Sequence, residues 1–206
     1  MAGCFITFEG TEGCGKSTHI KKLASRLKAE GRTVRTLREP GGTESGESIR
    51  HLLKHGPEEL TAEAELLLMN ASRAQLVREL IRPAIAAGEV VLCDRFYDST
   101  TVYQGTGRGL DAAQVQNVIE FAAGETRPDL TLLLQIPLKI SEERRARRAE
   151  TDRFEQADRA FFERIEAGYT ALAAAEPDRI RVIQADQPLD SVAATIWQVV
   201  SERLKM

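Results

Sequence analysis

The segment 10–18 most constrains what this chain can fold into. It reads GTEGCGKST and matches the phosphate-binding loop pattern G-x-x-x-x-G-K-[ST]. A short β-rich run, Phe5-Ile6-Thr7-Phe8, precedes it, and a segment with helical spacing of apolar residues follows from Ser17 to Leu27. Because the pattern lies between a strand and a helix, it predicts a loop whose backbone N–H groups and helix N-terminus bind nucleotide phosphates.

Within this loop, Lys16 is predicted to contact the β- and γ-phosphates, and the Ser17 hydroxyl to be a ligand of Mg²⁺. Glu9 and Glu12 place two carboxylates beside the phosphates, which suggests that they engage Mg²⁺ or a substrate hydroxyl, or that Glu12 orders an arginine. A glycine-rich turn with a chance lysine is the simpler interpretation, but the flanking strand and helix favour the functional one. The predicted ATP-binding residues are Gly10, Thr11, Glu12, Gly13, Cys14, Gly15, Lys16, Ser17 and Thr18.

Length, charge and cysteine content exclude several classes of protein. The chain has 206 residues and a formal net charge of −3, which argues against a dedicated nucleic-acid-binding protein. The three cysteines, Cys4, Cys14 and Cys93, form no C-x-x-C pair, so we expect free thiols in a reducing cytoplasm. No apolar stretch is long enough to span a membrane, and the N-terminus lacks the pattern of a signal peptide. We therefore expect a cytoplasmic protein without nucleic-acid or membrane partners.

Strand-like and helix-like segments alternate along the chain, and several of the strands are continuous apolar runs, which is typical of strands buried on both faces of a parallel sheet. This alternation predicts one α/β domain over residues 1–206: a three-layer αβα sandwich of the P-loop NTPase type, with a five-stranded parallel sheet, helices on both faces and a small lid. The predicted strands are Cys4–Phe8, Thr33–Leu37, Val90–Cys93, Leu130–Gln135 and Ile180–Ile183. The predicted helices are Ser17–Glu30, Glu44–His55, Ala62–Ala87, Ala112–Ala123, Glu155–Ala175 and Leu189–Leu204.

Capping residues support these boundaries. Gly31 and Gly88 lie where glycines commonly end helices, and Asp111 and Asp190 are candidate N-caps.

Ligands of such folds bind beyond the carboxyl ends of the strands, so the loops after the predicted strands matter most. The loop at 38–43 reads REPGGT, and a plain turn explains its proline and glycines but not the Arg38-Glu39 pair. The segment 94–105 begins with Asp94, placed to act on Mg²⁺ through water, and Arg95, whose planar guanidinium suits a phosphate. An Asp-Arg pair is usually a surface ion pair, but at the end of a core strand it indicates a site.

The fourth segment is rich in arginine, with Arg144, Arg145, Arg147, Arg148 and Arg153 between positions 139 and 153. Two interpretations are open. It is either a solvated charged helix or a lid, at about 138–154, that supplies an arginine to the transferring phosphoryl group.

These motifs together resemble bacterial thymidylate kinases over nearly the whole chain. The resemblance depends on FEGTEGCGKS at 8–17, REPGGT at 38–43 and DRF at 94–96 followed by Ser99, Val102, Tyr103 and Gln104, with support from RPDLTL at 127–132 and DRFE at 152–155. It implies that MgATP and dTMP give ADP and dTDP, a step in dTTP biosynthesis, and that the enzyme is a homodimer. Glu12 in the loop and the arginine-rich segment resemble the subtype whose catalytic arginine is in the lid.

The resemblance also implies roles for single residues. Arg95 matches the arginine that binds the acceptor phosphate, Arg73 the one that contacts thymine, and Tyr103 the tyrosine that lies under the sugar and disfavours a ribose 2′-hydroxyl; Thr100 and Gln104 match residues that face the base. The implied catalytic residues are Lys16, Arg95, Glu12, Arg153 and Arg148, and the implied metal ligands are Ser17 and Asp94. The implied substrate-binding residues are Glu9, Arg38, Pro40, Met69, Arg73, Arg95, Ser99, Thr100, Tyr103 and Gln104.

Two positions depart from the family pattern. Met69 stands where the family often has a phenylalanine stacked on thymine, and Gln135 stands where an aspartate usually ends the strand. We expect Met69 to lie on the thymine face as a flexible substitute for the aromatic ring.

Three other functions remain open at this point. The chain could act on a different nucleoside or nucleoside monophosphate, it could be a nucleotide-dependent switch, or it could be a catalytically silent relative. The Arg-Glu-Pro-Gly-Gly turn fits a kinase with a different acceptor less well. Nucleotide-dependent switches usually carry an Asn-Lys-x-Asp motif, which this sequence lacks. The intact phosphate-binding positions argue against a catalytically silent relative.

Overall fold

The computed structural model describes residues 3–56, 60–146 and 158–206. Five strands form one sheet in the order β2-β3-β1-β4-β5, and every neighbouring pair is parallel. The strands are β1 (Cys4–Glu9), β2 (Val34–Arg38), β3 (Val90–Asp94), β4 (Leu130–Gln135) and β5 (Ile180–Gln184). All five predicted strands are confirmed, with bounds that shift by at most one residue.

Helices connect the strands and cover both faces of the sheet, so the predicted α/β class is confirmed. The described helices are α1 (Lys16–Ala29), α2 (Glu44–His55), α3 (Ala62–Leu76), α4 (Arg82–Ala86), α5 (Tyr97–Thr100), α6 (Ala112–Ala123), α7 (Leu138–Ala146), α8 (Arg159–Ala175) and α9 (Leu189–Leu204). Two π-helical segments, Val77–Ile81 and Thr101–Gly107, continue α3 and α5. The predicted helix Ala62–Ala87 is therefore one helical run with a π-helical segment inside it.

The hydrophobic core has two halves because successive residues of a strand face opposite sides of the sheet. On β1, Ile6 and Phe8 pack against apolar residues of α1 and α9. Phe5 points the other way and packs with Leu76, Ile81 and their neighbours. Cys4, Cys14 and Cys93 are free thiols, as predicted, and all three are buried.

Two expectations about helices need correction. The segment 94–105, treated as a loop, becomes helical at Tyr97. Asp190 is not an N-cap, because α9 begins at Leu189 after Pro188 and Asp190 lies in its first turn, paired with Lys22. The predicted start of a further helix at Glu155 lies outside the described residues. Within the described residues, α8 begins at Arg159, and the Asp158 side chain caps it by accepting a hydrogen bond from the Phe161 amide.

The other predicted caps are confirmed. Asp111 accepts a hydrogen bond from the Gln114 amide, and Gly31 and Gly88 adopt positive φ angles just after helices. Across the parts of the chain that the structure describes, none of the helices has the length and apolar character that a membrane span requires.

Candidate active site

The phosphate-binding loop connects β1 to α1 and is closed by its own lysine. The Lys16 ammonium donates to the carbonyls of Gly10 at 3.0 Å and Thr11 at 3.1 Å. Gly15, with φ +95°, precedes the helix and offers no side-chain cap. The first backbone N–H groups of α1 therefore remain available to an anion, and the helix dipole favours negative charge there.

Gly10 shows why the loop needs glycine at its start. Its φ is +130°, and a Cβ at this position would lie 2.2 Å from the Leu134 carbonyl oxygen of β4. Only a glycine lets the chain leave β1 so close to the neighbouring strand.

Ser17 and Asp94 meet at the carboxyl edge of the sheet. The Ser17 hydroxyl donates to the Asp94 carboxylate at 2.9 Å, which joins the first turn of α1 to the end of β3. A hydroxyl and a carboxylate are hard oxygen donors of the kind that Mg²⁺ accepts, and Mg²⁺ typically takes only one or two protein ligands beside water and substrate phosphates. In the described residues no group of three or more His, Cys, Asp or Glu side chains could hold a metal ion, so an all-protein cage is absent there. The pair thus fits the partial coordination expected of Mg²⁺ bound with a nucleotide.

Arg95 follows β3 with a left-handed backbone, φ +71°, which is uncommon for a residue other than glycine. Its guanidinium is held on several sides. It contacts the Glu12 carboxylate at 2.7 Å, the Ser99 hydroxyl at 2.9 Å, the Tyr103 hydroxyl at 3.1 Å and the Tyr169 hydroxyl at 3.2 Å. Strained backbones persist where surrounding contacts over-determine them, so this network gives Arg95 one fixed direction.

Glu9 lies behind Arg95 and is fully buried. Its carboxylate accepts hydrogen bonds from the Phe96 amide at 2.7 Å, the Ser99 hydroxyl and the Tyr169 hydroxyl at 2.9 Å. Burial, followed by the negative charge of Asp98, raises the pKa of Glu9 to about 7. Glu9 does not line the cavity described below, and its carboxylate supports the Arg95 segment from within the core, so its predicted contact with substrate stays a prediction.

Arg73 forms the opposite end of the site and is almost completely buried. Its guanidinium donates to Glu39 at 2.7 and 2.9 Å, to Asn70 at 2.7 Å and to Thr100 at 3.0 Å. Burial raises the pKa of Glu39, and the charge of Arg73 opposes that effect. The Glu39–Pro40 peptide bond is cis.

One cavity joins these groups. It has a volume of about 320 Å³ and extends from the phosphate-binding loop to the residues around Arg73. Of the residues predicted to bind ATP, substrate or metal, those that line it are Glu12, Gly13, Gly15, Lys16, Ser17, Thr18, Arg38, Pro40, Met69, Arg73, Asp94, Arg95, Ser99, Thr100, Tyr103 and Gln104. Lys16 and Arg95 therefore open into the same space, as a reaction between two bound nucleotides requires.

Comparison with known proteins identifies the family. The family model described as thymidylate kinase matches residues 8–196. The chain belongs to the thymidylate kinase family. It is 50% identical over 203 residues to the thymidylate kinase of Alcanivorax borkumensis, with 98% of each chain covered, and 46% identical over 201 residues to that of Deinococcus radiodurans, again with 98% of each covered.

A solved structure agrees with this assignment. The crystal structure of thymidylate kinase from Ehrlichia chaffeensis superposes with a TM-score of 0.80 at 30% identity and covers 97% of this chain and 99% of that chain. The resemblance to bacterial thymidylate kinases and the P-loop NTPase fold are both confirmed.

Not every predicted residue of this thymidylate kinase family member reaches the cavity wall. Gly10, Thr11 and Cys14 shape the loop from behind, and the Cys14 side chain packs into the core. Arg38 lines the cavity and pairs with Glu47 at 2.8 Å.

Arg148 and Arg153, and the predicted lid beyond position 146, lie outside the described residues. Within the described part, Arg144 donates to the Gly13 carbonyl at 2.9 Å and Arg145 stacks on Phe162 at 3.6 Å.

The sequence reasoning missed several residues of the site. Arg50 and Lys54 lie one helical turn apart on α2 and line the cavity, and that spacing was the signal that could have revealed them. Tyr169 and Glu65 had no such signal. Glu65 is buried and accepts hydrogen bonds from Gln104 at 2.7 Å and Arg108 at 3.1 Å, so it fixes a side chain that the resemblance assigns to the base.

Proposed function

We propose that this protein transfers the γ-phosphoryl group of ATP to dTMP, giving ADP and dTDP, a step toward dTTP. The observation that carries the proposal is the single cavity that contains both Lys16 and Arg95. Membership of the thymidylate kinase family supports the choice of substrate.

Phosphoryl transfer depends on alignment and charge neutralisation more than on covalent chemistry. The amides of the phosphate-binding loop and Lys16 bind the donor phosphates. Arg95, held by Glu12 and by two tyrosine hydroxyls, binds the acceptor phosphate and brings its ionised oxygen toward the γ-phosphorus. No general base is needed, because the attacking oxygen already carries negative charge.

The side chains at the base end of the cavity support a preference for thymine. Arg73 and Gln104 are fixed by buried partners, so their free hydrogen-bonding directions are set before substrate binds. Met69 lies on the same wall and offers a flexible, polarizable contact to a pyrimidine ring. Tyr103, which the family places under the sugar, is held by its hydrogen bond to Glu12 at 2.9 Å.

Mg²⁺ is the proposed cofactor, and Ser17 and Asp94 are the residues that would hold it with the donor phosphates. When bound, it supplies positive charge that neutralises the phosphate oxygens.

We also propose that an arginine of the lid at 138–154, Arg148 or Arg153 among them, supplies further positive charge to the γ-phosphoryl group. The loop position Glu12 carries no positive charge of its own, which supports a lid origin for that arginine.

The test is ADP production from MgATP with a panel of nucleoside monophosphates. We expect dTMP to give a kcat/KM at least about tenfold above the others, and a ribose analogue of dTMP to be disfavoured. Equal turnover of several purine and pyrimidine acceptors would contradict the assignment.

We propose a homodimer formed through α3 and α6, which pack against each other. Leu67 on α3 is 58% exposed and Phe121 on α6 is 86% exposed, which is unusual for side chains of this size. We expect Phe121→Glu to give monomers in analytical ultracentrifugation, whereas Val182→Glu on the edge strand β5 should not. A dimer unaffected by Phe121→Glu would exclude this face.

We also propose that the chain forms a single domain and that the enzyme is cytoplasmic. A family match over residues 8–196 supports one domain over 1–206. The net charge of −3 and the three buried free thiols support a cytoplasmic enzyme whose partners are nucleotides rather than nucleic acid.

A further inference from the structure

Helix α7 contacts the phosphate-binding loop through two hydrogen bonds to its backbone. The Ser141 hydroxyl donates to the Glu12 carbonyl at 2.7 Å, and the Arg144 guanidinium donates to the Gly13 carbonyl at 2.9 Å. Ser141 is fully buried, and neither residue lines the cavity. They therefore act on the loop from outside the site.

These bonds fix the orientation of the loop amides. The C=O of one residue and the N–H of the next belong to one planar trans peptide and point in opposite directions. When Ser141 holds the Glu12 carbonyl, the Gly13 N–H is directed away from α7, and Gly13 lines the cavity. The orientation of a phosphate-binding amide is thus set by a hydroxyl on another element.

The close approach of α7 depends on the glycine at position 13. A Cβ there would lie 3.0 Å from the Arg144 Cβ, and the φ of +80° disfavours any other residue. On its other side α7 is anchored by Arg145, which stacks on Phe162 of α8 at 3.6 Å. The helix is therefore clamped between the loop and α8.

The use of the Ser141 hydroxyl is also unusual for a serine inside a helix. Such a hydroxyl commonly bonds the carbonyl four residues back, which here is the Pro137 carbonyl. That carbonyl already accepts the Ser141 amide at 3.1 Å, while the hydroxyl bonds a residue 129 positions away. The hydroxyl thus joins two elements and does not stabilise its own helix.

Glu12 extends this connection to the acceptor end of the cavity. While its carbonyl is held by Ser141, its carboxylate contacts Arg95 at 2.7 Å and Tyr103 at 2.9 Å. Glu12 therefore joins α7 to the residue assigned to the acceptor phosphate, because its carbonyl is bonded to the first and its carboxylate to the second.

We infer that Ser141 is a positioning residue that couples the donor loop to the acceptor-phosphate site through Glu12, with Arg144 supporting the same loop. The acceptor half of this inference rests on the proposed function, because that function assigns Arg95 to the acceptor. The donor half rests only on the loop's affinity for nucleotide phosphates.

The first experiment measures donor and acceptor separately in Ser141→Ala. Losing one buried hydrogen bond should raise the dissociation constant for MgADP by about three- to tenfold in calorimetry, and raise the acceptor KM by a similar factor although Ser141 lies off the cavity wall. Ser201→Ala is the matched control, because its hydroxyl bonds the Gln198 carbonyl on the exposed face of α9. We expect it to change neither value.

A double-mutant cycle separates positioning from general destabilisation. If Ser141 acts through Glu12, the acceptor KM of Ser141→Ala with Glu12→Gln should equal that of Glu12→Gln alone within about twofold. The inference would be overturned if the two substitutions multiplied each other's effects on the acceptor KM. It would also be overturned if Ser141→Ala lowered the thermal stability but left the MgADP affinity and the acceptor KM unchanged. A wild-type protein that binds MgADP but turns over no dTMP would instead contradict the proposed function, and the donor measurement would still decide the role of Ser141 in the loop.

Discussion

The guanidinium of Arg95 lies 2.7 Å from the carboxylate of Glu12, and both side chains are largely buried, with exposures of 18% and 14%. This ion pair joins the end of β3 to the phosphate-binding loop. A residue of the donor loop therefore sets the direction of the residue that we assign to the acceptor phosphate. The donor site and the acceptor site are therefore connected by this ion pair.

The first prediction concerns the two fixed cations. We expect Lys16→Ala and Arg95→Ala each to lower kcat/KM by about a hundredfold or more, since each removes a preorganised positive group from the transferring phosphoryl. A coupled assay of ADP formation measures the loss. Arg181→Ala, on the exposed face of β5, serves as the control and should leave kcat/KM unchanged. Near-normal turnover in Arg95→Ala would exclude Arg95 as the acceptor clamp.

The second prediction concerns Met69. We expect Met69→Ala to raise the dTMP KM by about three- to tenfold with kcat nearly unchanged, because we propose that the Met69 sulfur contacts the base and not the reacting phosphate. Met69→Phe should keep the KM low. Glu63→Ala, at an exposed position of the same helix, provides the comparison. If Met69→Ala leaves the dTMP KM where it was, Met69 does not lie on the thymine face.

The third prediction concerns the buried pair of Arg73 and Glu39, whose side chains are 2% and 4% exposed. Glu39→Leu should lower the free energy of unfolding by about 3–5 kcal/mol, because it leaves the Arg73 charge buried without its partner. Urea denaturation measures this. The exposed pair of Arg159 and Glu163 gives the contrast, and Glu163→Ala should cost less than about 1 kcal/mol.

A double variant separates stability from substrate binding at that pair. Glu39→Leu with Arg73→Met should recover most of the stability, since an apolar pair of similar volume avoids the desolvation cost. It should still bind dTMP weakly, because the guanidinium is gone. Full recovery of the dTMP KM would show that Arg73 has only a structural role.

The fourth prediction concerns pH. The pKa of Glu9 rises from 4.5 to about 7 on folding, through burial and the charge of Asp98, while Arg95 and the hydrogen bonds from Ser99 and Phe96 oppose the rise. The folded state therefore binds a proton more tightly than the unfolded state. Glu9 contributes stability below pH 4.5 that is lost as the pH rises through about 7.

The measurement compares the wild type with Glu9→Gln. The difference in their free energies of unfolding should change by roughly 3 kcal/mol between pH 4.5 and pH 7, with the wild type losing stability as the pH rises. Parallel stability curves over this range would mean that the pKa of Glu9 is the same in the folded and the unfolded protein.

Much of the fold could be predicted because its signals are local. A continuous apolar run such as Val90–Cys93 indicates a buried parallel strand wherever it lies in the chain. The segment from Tyr97 to Gly107 was harder. It is rich in serine, threonine and glycine, which favour loops when taken alone, and it becomes helical because Val102 and Tyr103 pack into the core beside α8.

The catalytic motifs could be placed at one edge of the sheet because parallel strands end together. The side chains that hold these motif residues in place could not be predicted from the sequence. Tyr169 reaches Arg95 from α8, which is 74 residues further along the chain, and no local pattern connects the two. Ser141 was hidden for the same reason, since its role depends on where α7 packs.

The sequence by itself determined the order of strands and helices, the phosphate-binding loop and the family, because periodicity and short motifs are properties of neighbouring residues. Only the tertiary structure decided which side chains face the cavity and which support it from behind. Glu9 and Glu12 illustrate the difference, since three positions separate two carboxylates of similar chemistry. The last residue of β1 faces the core and the loop residue faces the cavity, and that distinction arises from the packing of β3, α7 and α8 around them.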